Sequence, residues 1–532
     1  MITSLCSLLS VRPWLSLLLL GALSALAHAP IFWVWLLPVT FGPALWLMLQ
    51  RQTAIGSIGA AFLFALGHFV VGMYWLAAPL YVAPQNVPFG LIGSVIGTPI
   101  ALLGIPSAIA LCFALPLGLS LYVVGDQNRR TSWLIVALAA SAWACGDWLR
   151  SWVLTGLPWN ITGYVWGWSV PMMQSVAWIG PYGLSLLTAI GAFSPALILV
   201  RRDYWLPVLG VCLVLIGLLY LAGLWRLASV ELTEETGTRV GMVQPVASQN
   251  LSRDSNEILA AVTDLLTLSA TLADDIDVAI WSEGATGLEL YRGQDVYQRV
   301  TEFTIGEGPV LLTGSAKFGY QAYQPGDLGA SLRVTNTLSV VVNGDIVAEH
   351  DKAHLVPFGE YMPLRRLLTL PILSLPGADY TKGPGVQTLR IPGLPGFSPL
   401  ICYEAIFPGR VIDRTRRPEW LVNITTDAWF GNTSGPRQHL TSVRYRAIEE
   451  GLPLVRVAGA GISAVIDPFG RIEKAIDLNI RGAVAASLPG HTGVRPLFAA
   501  GGQVIVVLSF WVFLAWLVLA IFVNLRRLKN NS

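Results

Sequence analysis

The chain has 532 residues, of which 54% are hydrophobic and 12% charged, with a formal net charge of +2. Soluble domains carry about 25% charged residues, so much of this surface does not face water. A balance this close to neutral, without a long basic run, leaves no electrostatic footprint for nucleic acid.

The charges are also segregated. Before Glu231 stand eight Arg, three Asp and no Lys or Glu; nearly all the others lie between 231 and 490. A membrane part and a water-soluble part follow. Apolar runs of the ~20 residues needed to cross a bilayer recur near 10–28, 31–49, 54–76, 90–115, 132–150, 180–200, 204–225 and 503–525. Eight crossings is the most economical count. Arg51, the Arg129–Arg130 pair and the Arg201–Arg202 pair fall in alternate loops, and Arg526, Arg527 and Lys529 follow the last run. Short-loop cations stay in the cytoplasm, which puts these loops and the N-terminus inside and the segment 226–500 outside. Ala27-His28-Ala29 also has the form of a signal-peptide cleavage site. Retention is preferred, because a second apolar run follows at once and a tight helical hairpin explains both. The predicted organisation is a membrane domain over 1–226 with seven helices, an extracytoplasmic domain over 227–500, and an eighth helix with a cytoplasmic tail over 501–532.

The outer domain reads as α/β. Short apolar strands are predicted at 240–243, 278–281 and 310–313, and apolar residues at helical period mark a helix over 257–270. Asn343-Gly344 joins strands 337–342 and 346–349, since Asn-Gly is the strongest two-residue hairpin signal. Strands at 400–402 and 420–424 come next. A helix over 438–450 ends at Gly451, and strands at 454–457 and 463–466 complete the set. Strands interleaved with helices and hairpins predict a mixed sheet with helices packed on it.

Five cysteines fall at 6, 112, 145, 212 and 402, none with ligand spacing, which argues against a zinc site or a disulfide framework. Cys402 alone lies in the polar region. Three reactive side chains follow strands there: Glu283 in Trp281-Ser282-Glu283, Lys352 in His350-Asp351-Lys352, and Cys402. Strand ends are where a rigid scaffold presents reactive groups. A thiol with a free pKa near ~8.5 needs a base; a carboxylate supplies one, and an ammonium stabilises thiolate and oxyanion. Taken singly, each has a bland reading: a small core cysteine and two solvated charges. His350, His354 and His439 also offer a cysteine–histidine pairing, and spacing favours none of them.

The local strings are more specific. Trp281-Ser282-Glu283-Gly284, His350-Asp351-Lys352 with Pro357-Phe358-Gly359-Glu360-Tyr361, and Cys402-Tyr403-Glu404 resemble the nitrilase, or carbon–nitrogen hydrolase, superfamily, in its order Glu, Lys, Cys. Thr155-Gly156-Leu157-Pro158-Trp159, Thr426-Asp427-Ala428-Trp429-Phe430-Gly431, Gly435-Pro436-Arg437-Gln438-His439-Leu440 and Arg444-Tyr445-Arg446-Ala447 narrow the resemblance to the apolipoprotein N-acyltransferase family. It spans nearly the whole chain, because that family has seven crossings, a nitrilase-like domain and an eighth crossing. The resemblance implies an α-β-β-α sandwich, with Glu283 as general base, Lys352 stabilising the oxyanion and Cys402 as nucleophile. It makes Glu360 a second essential glutamate, with Tyr403 and Glu404 supporting the cysteine. It implies a phospholipid acyl donor, a diacylated lipoprotein acceptor and a bacterial inner membrane with the catalytic domain on the periplasmic side; no metal or organic cofactor is implied. One departure is Leu251-Ser252-Arg253-Asp254, where relatives often place an aromatic or basic residue.

Trp429 and Phe430 are assigned to a lid. Neighbours on an extended loop point in opposite directions, so both are not expected in one core. A membrane-tethered amidase and a non-enzymatic scaffold are the competing readings; acyl-enzyme formed from phospholipid separates the first. The second is disfavoured by the presence of all three reactive residues.

Overall fold

A computed structural model describes residues 2–82, 84, 90–123, 133–200, 202–235, 237–245, 255–287, 289–292, 294–320, 332–357, 359–361, 380–501, 514 and 518. The run 503–525 predicted as the eighth crossing lies almost wholly outside them. So do Arg129, Arg130, Arg201, residues 251–254, Phe358, Arg526, Arg527 and Lys529. The chain forms two compact units: 1–77 with 98–229 and 496–532, and 78–97 with 230–495.

The first unit is helical. Among the described residues four helices are long and apolar enough to span a bilayer: Ala54–Gly72, Gly90–Val123, Val176–Val200 and Arg202–Ser229. The apolar helices Pro13–Ala27, Leu36–Met48 and Trp133–Leu149 are shorter. At 1.5 Å per residue a 13-residue helix reaches roughly 20 Å, short of the ~30 Å of hydrocarbon. The first of these narrows into a 3₁₀ turn at Ala25–Ala27. Trp143 is buried at the centre, with Phe41, Phe64, Phe113 and His68 around it. Two helices meet backbone to backbone where side chains vanish: a β-carbon on Gly21 would stand 1.9 Å from the Phe64 carbonyl oxygen. Small residues at such crossings are what allows close helix packing in lipid. Arg150 and Asp147 pair at 2.9 Å, both buried, and Asp147 also accepts the Thr162 N–H at 3.0 Å.

Among the described residues the second unit has eleven strands: β1 Arg239–Gln244, β2 Val278–Ile280, β3 Val310–Tyr320, β4 Leu332–Val342, β5 Asp345–Asp351, β6 Phe397–Ile401, β7 Trp420–Thr425, β8 Leu454–Ala458, β9 Ser463–Ile466, β10 Ile472–Ile476 and β11 Gly482–Ser487. They form a six-stranded sheet, β11-β1-β2-β3-β4-β5, and a five-stranded sheet, β10-β9-β8-β7-β6. In the larger, the parallel strands β1, β2 and β3 are extended by antiparallel pairings to β11 on one side and to β4 and β5 on the other; in the smaller, the parallel strands β6, β7 and β8 are extended by β9 and β10. The sheets face each other across Val240, Met242, Ile280, Leu338, Phe397, Trp420, Val422 and Val455. Helix Gly435–Glu450 covers the outer face of the smaller sheet through Leu440, Val443 and Ala447. Helices Ser255–Ala270 and Gln294–Thr304 cover the larger through Val262, Leu265, Val296 and Val300. Four layers, α-β-β-α, result.

The Asn343-Gly344 turn has positive φ at both residues, 51° and 86°, as a two-residue hairpin turn demands. Gly451 closes the Gly435–Glu450 helix in the left-handed conformation. The strands at 472–476 and 482–487 and the helix at 294–304 are additions to the sequence reading. Exposed Glu473 and Lys474 dilute the apolar pattern of β10, and alanines do so in β11.

Candidate active site

Strands β1, β2, β3 and β5 run in one direction, so the residues after β2 and after β5 emerge at one edge of the larger sheet. Glu283 follows β2. Gly314 on β3 makes room for it, since a β-carbon there would lie 2.6 Å from Glu283 Cα. Lys352 follows β5, its N–H donating to the Asn336 carbonyl of β4 at 2.8 Å.

The lysine ammonium is buried and donates to Glu360 Oε1 at 2.8 Å and to Glu283 Oε1 at 3.4 Å. Asn336 Nδ2 donates to the same two oxygens, at 3.1 and 2.7 Å. The remaining oxygens are held by backbone: Glu283 Oε2 by the Thr426 N–H at 2.9 Å, Glu360 Oε2 by the Val356 N–H at 2.8 Å. Two carboxylates, one ammonium and one amide therefore form a closed set. Burial pulls the Lys352 pKa down, but the Glu360 and Glu283 carboxylates outweigh it and hold it well above its ordinary value. It stays charged.

Cys402 begins a 3₁₀ turn, Cys402–Ile406, at the end of β6. Its φ is +52°. A residue with a β-carbon held there costs about 1–3 kcal/mol, and such strain is kept where a side chain must be aimed. Burial and the Glu283 carboxylate push the thiol above its ordinary range, against the pull of Lys352 and a hydrogen bond with Thr425. At neutral pH the sulfur therefore keeps its proton until a base takes it.

Glu404 joins the cysteine turn to the lysine loop. Its carboxylate accepts the N–H groups of Ala353 at 2.7 Å, His354 at 3.1 Å and Ile401 at 2.8 Å, and lies 3.3 Å from His350 Nε2. Burial opposes its ionisation, but the His350 contacts and the backbone donors win, and its pKa is lowered. Tyr403 is buried, packed against His354 and Phe407.

Trp429 and Phe430 lie on a 3₁₀ turn, Asp427–Phe430, rather than on an extended loop, so the alternation expected of them does not apply; both are half-buried. Phe430 leans on Gly435 and stands edge-on to His439. The short helix Ala78–Val82 packs on this turn within the same unit, with Val82 against Gly431.

Of the three histidines, His350 serves Glu404, His354 stacks on Phe407 at 4.0 Å, and His439 hydrogen-bonds Asp427. Glu283, Lys352, Glu360 and Cys402 are brought together. The sequence reading missed Asn336, a lone amide in a strand with no motif around it. No group of three or more His, Cys, Asp or Glu suited to a metal ion occurs among the described residues.

Two family models match the chain: the apolipoprotein N-acyltransferase N-terminal domain over residues 20–194 and carbon-nitrogen hydrolase over residues 296–491. The chain is 34% identical over 503 residues to the apolipoprotein N-acyltransferase of Rhodopseudomonas palustris, covering 89% of this chain and 88% of that one. With that of Bradyrhizobium diazoefficiens it shares 35% over 497 residues, and 88% of each chain is covered. With that of Rickettsia prowazekii it shares 32% over 496 residues, covering 92% and 95%. Since these likenesses run through both the helical and the sandwich unit, the chain belongs to the apolipoprotein N-acyltransferase family.

Proposed function

We propose that the protein moves an acyl chain from a membrane phospholipid, through a thioester on Cys402, to the N-terminal amine of diacylglyceryl-cysteine in a lipoprotein. Glu283 takes the thiol proton, and the sulfur attacks the ester carbonyl. Lys352 stabilises the oxyanion. Collapse expels the lysophospholipid oxygen, which receives the proton from Glu283. In the second half the amine gives a proton to Glu283 and attacks the thioester, and the sulfur leaves, taking that proton from Glu283. Glu360 holds Lys352, Glu404 and Tyr403 hold the cysteine turn, and Trp429 and Phe430 guard lipid access.

The observation that carries this reading is the closed set around Lys352, which keeps one ammonium charged beside a protonated thiol and a carboxylate. The membrane body fits the same reading. Both substrates are lipids, and lifting an acyl chain out of the bilayer costs about 0.8 kcal/mol per CH₂. We place eight crossings in the bacterial inner membrane, with a domain over 227–500 on the periplasmic side between helix seven and helix eight.

The test is mass spectrometry of the purified protein after exposure to phospholipid without acceptor. An acyl adduct on the Cys402 peptide, removed by hydroxylamine and missing in Cys402→Ala, is expected. No adduct, or one on another residue, would overturn the reading.

A further inference from the structure

A second polar group reaches Cys402 from the smaller sheet. β6 and β7 are parallel with Ile401 level with Ile424, so Cys402 and Thr425 are neighbours at one sheet edge. Thr425 is fully buried. Its hydroxyl donates to Asp427 Oδ1 at 3.3 Å, and the same side chain pulls the Cys402 thiol pKa down against the burial that raises it.

Behind Thr425 stands a buried ionic group. Asp427 Oδ2 accepts from Arg456 Nη2 at 2.6 Å, and Asp427 Oδ1 lies 3.0 Å from His439 Nδ1. Arg456 also donates to Asn423 Oδ1 and to the Ile462 carbonyl. Asn423 returns to β6 by donating to the Leu400 carbonyl at 3.1 Å. A β-carbon on Gly461 would stand 2.4 Å from Asp427 Oδ2, so the chain keeps space for this carboxylate. Asp427 is held well supplied with donors: burial opposes its charge, but Arg456 and His439 lower its pKa to about 2. Ion pairs buried this deeply are seldom the most stabilising filling for a core, so their placement at a reactive sulfur calls for a use.

A hydroxyl has one proton to give. While the thiol is protonated, S–H can donate to Thr425 Oγ1, and the hydroxyl proton goes to Asp427. Once the sulfur is a thiolate it becomes an acceptor, and Asp427 retains Arg456 and His439. We propose that Thr425 is a switchable hydrogen-bond donor to Cys402, its O–H turning from Asp427 to the sulfur as the thiolate forms. No bond breaks at Thr425; the one proton transferred is that from Cys402 to Glu283. This rests on the reading of Cys402 as nucleophile.

The charged and titratable groups bearing on the sulfur are Glu283 after β2, Lys352 after β5 and Asp427 after β7. His439 from the Gly435–Glu450 helix pairs with Asp427, and Tyr403 and Glu404 lie in the same turn as the cysteine. Thr425→Val leaves all of them in place and removes only the hydroxyl.

The experiment measures alkylation of Cys402 by iodoacetamide against pH, read on its peptide, together with thioester formation from phospholipid. Thr425→Val should move the alkylation midpoint upward by about one pH unit and slow thioester formation roughly tenfold, the worth of a hydrogen bond to a charged group. Thr425→Ser should recover to within about threefold. Thr425→Ala replaces the valine variant if that one fails to fold. An unchanged midpoint in the variant without a hydroxyl, or a serine variant no better than valine, overturns the proposal. If wild-type protein forms no thioester, the acyl-transfer reading fails, while alkylation still reports on Thr425.

Discussion

The ammonium of Lys352 stands closer to Glu360, at 2.8 Å, than to Glu283, at 3.4 Å. The tighter ion pair is thus with the carboxylate tied to the lysine loop through Val356, which leaves Glu283 as the group that presses on the thiol. Glu283→Gln is expected to slow thioester formation by at least ~100-fold, the scale of a lost general base. Glu360→Gln should slow either half of the reaction, since it loosens Lys352. Single-turnover acylation and transfer rates separate the two; normal thioester build-up in Glu283→Gln would remove that residue from the role of base.

Asn336 gives one amide to both glutamates. Asn336→Ala should therefore lower the acylation rate roughly tenfold, because two carboxylates lose a donor in a buried site. Asn336→Asp should be worse, as it sets a third carboxylate beside the other two. The comparison is made on folded protein, at matched melting temperature, and an aspartate variant that outperforms alanine would contradict the account.

Glu449 links stability to pH. It is fully buried against Arg446 at 2.5 Å, and burial outweighs that guanidinium, raising its pKa from 4.5 to about 8. A carboxyl raised in the fold is favoured neutral there. Its contribution is complete below pH 4.5, shrinks as pH climbs, and is gone above 8. Melting temperature should accordingly fall between pH 5 and pH 8.5, and Glu449→Gln should flatten that slope. Equal slopes in both proteins would show that other groups set it.

For Trp429 and Phe430 the expected result is a split between stability and rate. Phe430, seated on Gly435 and His439, should cost stability when cut to alanine. Trp429→Ala should keep its melting temperature within a few degrees and form thioester several-fold more slowly. If both variants lose activity only in proportion to lost stability, they are packing residues and no lid exists.

Topology is tested by fusion. A reporter active only outside the cytoplasm should work when joined after residue 300 and be silent after residue 130 or 202, because the arginine-bearing loops alternate. Activity at all three junctions would show that the crossings are miscounted.

The gathering of Glu283, Lys352 and Cys402 was legible because each follows a strand. Glu283 and Cys402 follow short apolar strands, and the hairpin between β4 and β5, which leads into Lys352, announced itself in Asn343-Gly344. What escaped was side-chain polarity inside strands. Asn336, Asn423 and Thr425 occupy positions that alternation assigns to a core, and only the pairing of strands brings them to the sulfur and its partners. Arg456 reads as an interruption of an apolar strand until Asp427, 29 residues earlier, is seen at 2.6 Å. The 3₁₀ turn at 427–430 escaped for another reason: its sequence has no helical period, being only four residues long.

The grouping of residues 78–97 with 230–495 has a consequence for how the protein is made. Ala78–Val82 leaves the ribosome more than three hundred residues before the turn at 427–430 that it covers. The sandwich thus completes itself with a piece of chain that lies, in sequence, between two stretches of the helical unit, a long-range closure that is intrinsically slow. A fragment starting at residue 230 would contain all eleven described strands and all of Glu283, Lys352 and Cys402, yet leave the 427–430 turn without its cover from Ala78–Val82. Such a fragment should fold its sheets and still fall short of the whole chain at whatever step that turn controls.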